Sequence, residues 1–592
     1  AHSQVVTKLS TRSSALSVSV MVPNSLGPAE LLLHYGTDEQ KKHYLPRLAK
    51  GIEVPAFALT SPWAGSDAAS IPDSGVVCKG MWQGKEVLGM RVNWDKRYIT
   101  LAPVFGLAFH LYDPDSLLGS KKHIGITCAL VPYDHPGVDT GRRHFPLNAM
   151  FMNGPTRGKD VFMPLDFIIG GPKMAGGGWR MLMECLAAGR SISLPSSNTG
   201  MAQMTARAVG GYARVRSQFK MAVGKFEGVE EALTRIGAYT YMMDAVRKMT
   251  AGAVDLGEKP SVVSAIAKYH VTERARQVVN DGMDVIGGKG ICLGPSNFMG
   301  RAYQQVPIGI TVEGANILTR SLIIFGQGAI RCHPFLLAEM QAAQNPDLNK
   351  GLVDFDKALW AHVGFTIKNG FRALWLGMTG SHFVTVNVDT APEMRRYYQQ
   401  MTRFSAAFAF MSDISLLVLG GSVKRREKLS ARLGDILSQM YLISCTLKRY
   451  EEEGRKAEDA PLAHWAIWDA MYKAQEAFDG VIANFPVRFI AAFLQRSIFP
   501  WGHPYVVPSD EVGHQVAELL IAPSATRDRL TAECFIPQTE KEPIGAIELA
   551  LIATLEAEAI EAKIRAAEKD GRFENNPQAN VRDIAIVAAE YG

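Results

Sequence analysis

The residues of this chain that could do chemistry fall in five short segments. In FALTSPWAGSDAASIP (57–72) a Thr-Ser-Pro turn and a Gly-Ser-Asp turn follow an uncharged lead-in. Hydroxyls and turn N–H groups at Thr60 and Ser66 either cap a local turn or offer donors to an anionic ligand. KRYIT (96–100) sets Tyr98 and Thr100 on a strand-like run, where an aromatic is a core residue or a binding surface. RSQFK (216–220) places Arg216 three residues before Phe219, a pattern that a surface ion pair beside a core ring also satisfies. DVIGGKG (284–290) holds Gly287 and Gly288 in tandem. TVEGANILTR (311–320) puts Glu313 before Gly314 and behind the uncharged run IGITV. A carboxylate there either sits in the first turn of a helix, where the dipole favours it, or in surroundings dry enough to raise its pKa.

These segments need several folded layers to bring them together. The chain has 592 residues, 47% hydrophobic and 20% charged, which suffices for several packed cores and indicates a soluble, multi-domain globular protein. Its seven cysteines (Cys78, Cys128, Cys185, Cys292, Cys332, Cys445 and Cys534) form no CxxC pair, so neither a metal site nor a disulfide framework is expected, and a reducing compartment is. The net charge of +5 and the lack of a basic stripe interleaved with aromatics argue against a nucleic-acid partner but leave room for an anionic small molecule. No secretory signal opens the sequence, and Ala1 in place of an initiator methionine reads as part of a longer product.

Around residues 28–50 the composition predicts short helices, with Asp38 as an N-cap. From about Val54 to Ile169, KEVLGMRVNWDKRYITLAPV, HIGITCALVPY and KDVFMPLDFIIGG are apolar or alternating runs bounded by turn residues, the texture of a β-domain. Beyond Gly176–Gly178, helical spacing runs to about Gln341 and resumes from Asn349 towards Gly592, with polar breaks at EEEGRKAEDA and a less regular stretch from Phe499 to Lys541. The apolar run from Phe404 is interrupted by Asp413, Gly420 and Gly421 and reads as a core helix rather than a membrane span. KRREK (424–428) reads as a solvated helix face, with attraction to CoA phosphates or an anionic membrane as the alternative. Helical, then β, then helical bundle is an α+β arrangement in which a cofactor could lie between layers.

On these residues the chain resembles the acyl-CoA dehydrogenases. TSPWAGSDAA is similar to their flavin-binding signature T-E-P-x-A-G-S-D-A, KRYIT to K-x-[WY]-I-[TS], RSQFK to R-x-x-F, DVIGGKG to Q-x-x-G-G-x-G, and TVEGANILTR to E-G-T-x-x-I-x-R. All five stand in the family order, and GQGAIRCHPF (326–335) with the region after it resembles the long bacterial fatty-acyl-CoA dehydrogenases that carry a C-terminal helical extension. The resemblance implies a truncated N-terminal helical domain (1–54), a β-domain (55–170), a helix bundle carrying the base (171–345) and an additional helical domain (346–592).

It also implies roles. Glu313 is the catalytic base, and its backbone N–H would polarise the substrate carbonyl while Gly314 allows close approach of the thioester. FAD is the cofactor: Thr60 and its neighbours meet the flavin ring edge, Ser66 meets the pyrophosphate and the substrate, and Tyr98 and Thr100 lie against the ring. Arg216 and Phe219 reach the FAD from a second subunit, with Gly287 and Gly288 beside its nucleotide half, so a homodimer is expected. Arg190 matches a residue that supports the active-site loop. Some relatives carry the base just before that arginine, where this chain has Gly189.

Departures from the family pattern are Ser61 for glutamate, Trp63 for a smaller residue, Asp284 for glutamine and Ala315 for threonine. The N-terminal helical part and the turn after TLAPV also read short. The expected activity is oxidation of medium- to long-chain fatty acyl-CoA to trans-2-enoyl-CoA in β-oxidation, with an electron-transferring flavoprotein as acceptor. The expected setting is the cytoplasm, with peripheral association at the inner face of the cell membrane left open. An acyl-CoA oxidase using dioxygen and a non-catalytic acyl-CoA-binding protein are the alternatives.

Overall fold

The computed structural model describes residues 1–25, 27–101, 104–119, 121–258 and 260–570. Residues 571–592 of the expected extension, and Ala102 and Pro103 in the short turn, lie outside them.

Four helices open the chain: α1 (His2–Arg12), α2 (Ser14–Ser25), α3 (Pro28–Tyr35) and α4 (Asp38–Ala49). The cap of α4 is Thr37 rather than Asp38: Thr37 Oγ1 accepts from the Gln40 N–H, and the Gln40 side chain returns a bond to the Thr37 N–H. This reciprocal capping box needs a Gln or Glu three residues after the cap, which Thr37 has and Asp38 lacks.

A seven-stranded sheet follows, built from β1 (Pro55–Ala58), β2 (Ser74–Trp82), β3 (Lys85–Thr100), β4 (Val104–Tyr112), β5 (His123–Pro132), β6 (Val138–Asp139) and β7 (Asn153–Pro164). The strand order is β1-β4-β2-β3-β7-β6, and β5 pairs with β4. The long strand β3 explains itself by alternation: Met90, Val92, Trp94 and Lys96 point inward while Arg91 and Asn93 point out. The single charge in that inward row is paired, because Lys96 Nζ lies 2.5 Å from Asp73 Oδ2 with both side chains sealed from solvent. Between Lys96 and Ile99 the pairing with β7 slips, and Tyr98 takes φ +62°. The bulge turns Tyr98 out of the sheet, leaving it 66% exposed.

The bundle comprises α5 (Gly178–Ala188), α6 (Leu194–Val215), α7 (Glu227–Asp255), α8 (Ser261–Ile286) and α9 (Gly300–Thr311). Then come α10 (Leu336–Ala343), α11 (Leu348–Met378), α12 (Arg395–Leu419), α13 (Glu427–Glu452), α14 (Ala460–Ala483), α15 (Arg488–Ile498), α16 (Asp510–Leu520) and α17 (Pro543–Lys569). Bundle residues such as Met204, Leu233 and Val278 share one continuous core with Phe404, Leu433 and Phe478 of the later helices. α16 and α17 pack back onto α7 and α6 respectively. The segment Pro392–Lys424, which contains α12, is long and apolar enough by composition to cross a membrane. In the fold it buries Phe404, Ala407 and Met411, and its Asp413 accepts from Thr366 Oγ1 at 2.8 Å and pairs with His333 Nε2 at 2.8 Å.

Candidate active site

Two π-helical turns flank the site. Gly189–Ser193 joins α5 to α6, and Thr319–Gln327 follows the loop after α9. Such turns widen a helix locally and recur where side chains must be aimed. Between α9 and the second π turn the chain bends sharply at Glu313, with φ +57°, and Gly314, with φ +95°. A left-handed non-glycine residue is strained, and that strain holds only where surrounding bonds over-determine it.

Those bonds come from two buried cations. Arg190 Nε donates to the Glu313 carbonyl at 2.7 Å, and its guanidinium covers Gly314 so closely that a Cβ there would lie 2.9 Å from Nη2. Lys268, fully buried on α8, donates to three oxygens: Ile310 O at 3.2 Å, Gly314 O at 2.7 Å and Asn316 Oδ1 at 2.6 Å. Asn316 Nδ2 donates in turn to Thr272 Oγ1 and Glu273 Oε1, at 2.9 and 2.8 Å. The loop is therefore clamped before and after Glu313.

The carboxylate itself is left free. Both oxygens are sealed from solvent, and among the described residues neither has a hydrogen-bond partner. It rests against Gly189, where an added Cβ would come within 2.6 Å of Oε2. Burial pushes its pKa up from 4.5 to about 7, against the opposing pull of Arg190 and Lys268. Keeping it charged there costs roughly 3 kcal/mol more than in water. The same burial lowers Lys268 to about 8, partly offset by Glu313. A buried acceptor with no donor is unstable unless a ligand completes it. A base with a pKa near neutrality is matched to proton abstraction.

Across from this loop stands the sheet. Ile308 and Val312, just before Glu313, pack against the cluster containing Ile99 and Leu101. Tyr98 and Thr100 are held by one residue, since Asn153 Nδ2 donates to Tyr98 O and to Thr100 Oγ1, each at 3.1 Å. His144 Nδ1 lies 2.9 Å from Asn153 Oδ1, and its ring sits 5.5 Å from that of Tyr98. Thr60 O accepts the Arg97 N–H at 2.9 Å, tying the TSPWA turn to the bulge. Within that turn Ser61 Oγ accepts the Ala64 N–H at 3.0 Å, and Trp63 stands 75% exposed. Ser66 is exposed.

The other expected residues lie elsewhere. Arg216, Gly287 and Gly288 line a cleft of about 990 Å³ closed on one side by Pro543 and Ile547 of α17; neither Glu313 nor Gly314 lines it. Gly287, with φ +58° and ψ −138°, holds a conformation reserved for glycine, and open space faces both glycines. Phe219 sits at the tip of the Ser217–Gln218/Met221–Ala222 hairpin and is 90% exposed. So the chain brings together Glu313, Gly314 and Arg190, joins Thr60 to Tyr98 and Thr100, and gathers Arg216 with the two glycines. Sequence reasoning missed Lys268, Asn316, Asn153 and His144. Only Lys268 left a trace: a lone cation inside the apolar run VVSAIAK.

Comparison with known proteins agrees with this architecture. Residues 1–52 match the acyl-CoA dehydrogenase N-terminal domain, 176–325 the acyl-CoA dehydrogenase C-terminal domain, and 330–590 the bacterial-type acyl-CoA dehydrogenase C-terminal region. The probable acyl-CoA dehydrogenase FadE10 of Mycobacterium tuberculosis is 26% identical over 562 residues, covering 89% of this chain and 82% of that protein. Protein HemX of Proteus mirabilis is 65% identical over 103 residues, a match to 17% of this chain that spans 61% of that protein's length. The crystal structure of a Bacillus anthracis acyl-CoA dehydrogenase complexed with FAD superposes with a TM-score of 0.68 at 18% identity, over 87% of this chain and 84% of the other, and shows the shared fold. The chain belongs to the acyl-CoA dehydrogenase family.

Proposed function

We propose that this chain is an FAD-dependent dehydrogenase that oxidises medium- to long-chain fatty acyl-CoA to the trans-2-enoyl-CoA, as in fatty-acid β-oxidation. The observation that carries this reading is the Glu313 carboxylate: sealed from water, unpartnered among the described residues, and raised to about 7. At neutral pH about half of it is ionised. It can then take the α proton of a thioester, the Cα–H bond breaking toward its oxygen. Bound FAD supplies the two-electron acceptor of the reaction.

The residues present fit that group. The orphaned carboxylate supports a substrate lying against it. The exposed Tyr98 and the half-buried Thr100, fixed through Asn153, offer a face for a flat ring. Arg216 and the open backbone at Gly287 and Gly288 suit a pyrophosphate or nucleotide half. Lys268 and Arg190 hold the loop, keep the N–H at Glu313 aimed, and temper the basicity of its carboxylate.

The projecting, 90% exposed Phe219 supports a homodimer in which this hairpin reaches the partner's cofactor. An electron-transferring flavoprotein is the proposed acceptor. A cytoplasmic setting accords with seven cysteines that form no disulfide among the described residues.

A panel of saturated acyl-CoA esters, assayed with an artificial electron acceptor, tests the reading. Enoyl-CoA formation with a maximum at medium or long chains is expected. No oxidation of any ester would overturn it, and rapid peroxide formation without an acceptor would make the enzyme an oxidase.

A further inference from the structure

A second cleft, of about 750 Å³, opens between α8 of the bundle and α13 and α14 of the extension, and neither Glu313 nor Gly314 lines it. Two of the side chains lining it are nearly sealed from solvent, His270 at 5% and Arg274 at 7% exposure. Arg274 Nη1 donates to His270 Nδ1 at 2.8 Å, so the neutral ring carries its proton on Nε2. That Nε2–H and the Nε–H of Arg274 are buried, and among the described residues neither has an acceptor. Buried donors are ordinarily satisfied, so two on one contacting pair call for an acceptor from outside.

The charges around this pair are unbalanced in the same sense. Five cations line the cleft, and three are taken: Arg276 pairs with Glu273 at 2.6 Å, Arg320 with Asp435 at 2.5 Å and Lys473 with Asp469 at 2.8 Å. The other carboxylate at the cleft, Glu476, is exposed. Arg274 has only neutral partners, since its Nη2 donates to Gln439 Oε1 at 3.2 Å. Arg432 acts on Asp435 through charge alone, and Asp435 is already held by Arg320. A buried cation without a counter-charge is costly.

Arg274 and Lys473 also crowd one ring, 5.3 and 4.9 Å from the centroid of Tyr239 on α7. Burial first, then the positive charges of Arg274, Lys473 and Arg320, hold His270 well below its ordinary value and so keep it neutral. A recess that gathers positive charge inside low-dielectric walls draws in anions. Arg432 is set to meet one: Gly480 of α14 lets its stem lie close, since a Cβ there would come 2.9 Å from Arg432 Cδ. A phosphate group, with three or more oxygens and up to two charges, answers two arginines better than a carboxylate does.

We propose that the cleft between α8, α13 and α14 binds a phosphate-bearing anion, held by Arg432 against the uncompensated charge of Arg274. The site adjoins the loop of the base, because Glu273 also accepts from Asn316, which Lys268 holds. The test dialyses the full chain, with FAD in excess, against labelled inorganic phosphate at constant ionic strength. Saturable uptake is expected. Its displacement by adenosine monophosphate would identify a phosphate ester as the occupant, and resistance to displacement would identify the free ion. Arg432→Gln should weaken uptake by about tenfold or more, and Arg432→Glu should abolish it, with thermal unfolding in chloride unchanged. Arg432→Lys should restore most of it. No saturable uptake by the parent chain, or equal uptake by the parent and Arg432→Glu, would overturn the proposal. No turnover is measured, so the outcome is separable from the proposed dehydrogenase activity.

Discussion

Moving the pH from about 8 to about 6 should lower kcat/KM by close to tenfold, because a base with a pKa of about 7 falls from roughly 91% to roughly 9% ionised over that range. The sign follows from burial: the carboxyl is raised, so the reactive anion is present above pH 7 and is lost as pH falls through it. A glutamate at its ordinary value of 4.5 would stay almost wholly ionised at both pH values and give a flat profile. Lys268 provides the internal control. Its charge opposes the rise at Glu313, so Lys268→Met should move the acid limb to higher pH as well as slow turnover through loss of the three loop bonds. The assay is initial rates at low acyl-CoA with an artificial acceptor, from about pH 5.5 to 8.5. A profile flat from pH 5.5 to 8, or a Lys268→Met limb displaced to lower pH, would refute the reasoning.

Other outcomes follow from single contacts. Gly189→Ala adds a Cβ that would sit 2.6 Å from Glu313 Oε2, so kcat should drop by about tenfold to 100-fold with unfolding unchanged, and unaltered kcat would show that the carboxylate reacts from another position. Asp73→Asn leaves Lys96 buried without its counter-charge and should cost about 3–5 kcal/mol, read as a lowered denaturant midpoint; an unchanged midpoint would mean that Lys96 reaches water or loses its proton at little cost.

How much of this was legible in the sequence depends on the reach of each interaction. The strands around Met90–Lys96 could be read because alternation is local, and the long helices of the bundle because their apolar spacing repeats over many turns. The cap of α4 was misplaced by one residue because Thr37 and Asp38 are both good caps, and only the reciprocal bond from Gln40 decides between them. The base could be named, and the resemblance named Arg190 as the support of its loop, but Lys268 was missed: it stands 45 residues from Glu313, and nothing local announces that its hydrogen bonds converge with those of Arg190 on one loop. Tyr98 was expected at a ring face. The bulge that turns it outward arises from pairing with β7, more than fifty residues on. The exposed apolar stripe of α11, with Trp360, Phe371 and Trp375 facing solvent, was missed because apolar residues at helical spacing ordinarily mean core, and exposure is a property of the assembled fold.

The account stands or falls on the oxygen pair of Glu313, and Glu313→Gln removes its proton affinity while keeping its shape. Purified with FAD, that variant should be yellow and should bind a saturated acyl-CoA. Its flavin absorbance should then persist, with reduction slowed by several orders of magnitude relative to the parent protein. Bleaching at a rate within about tenfold of the parent would mean that another group takes the proton.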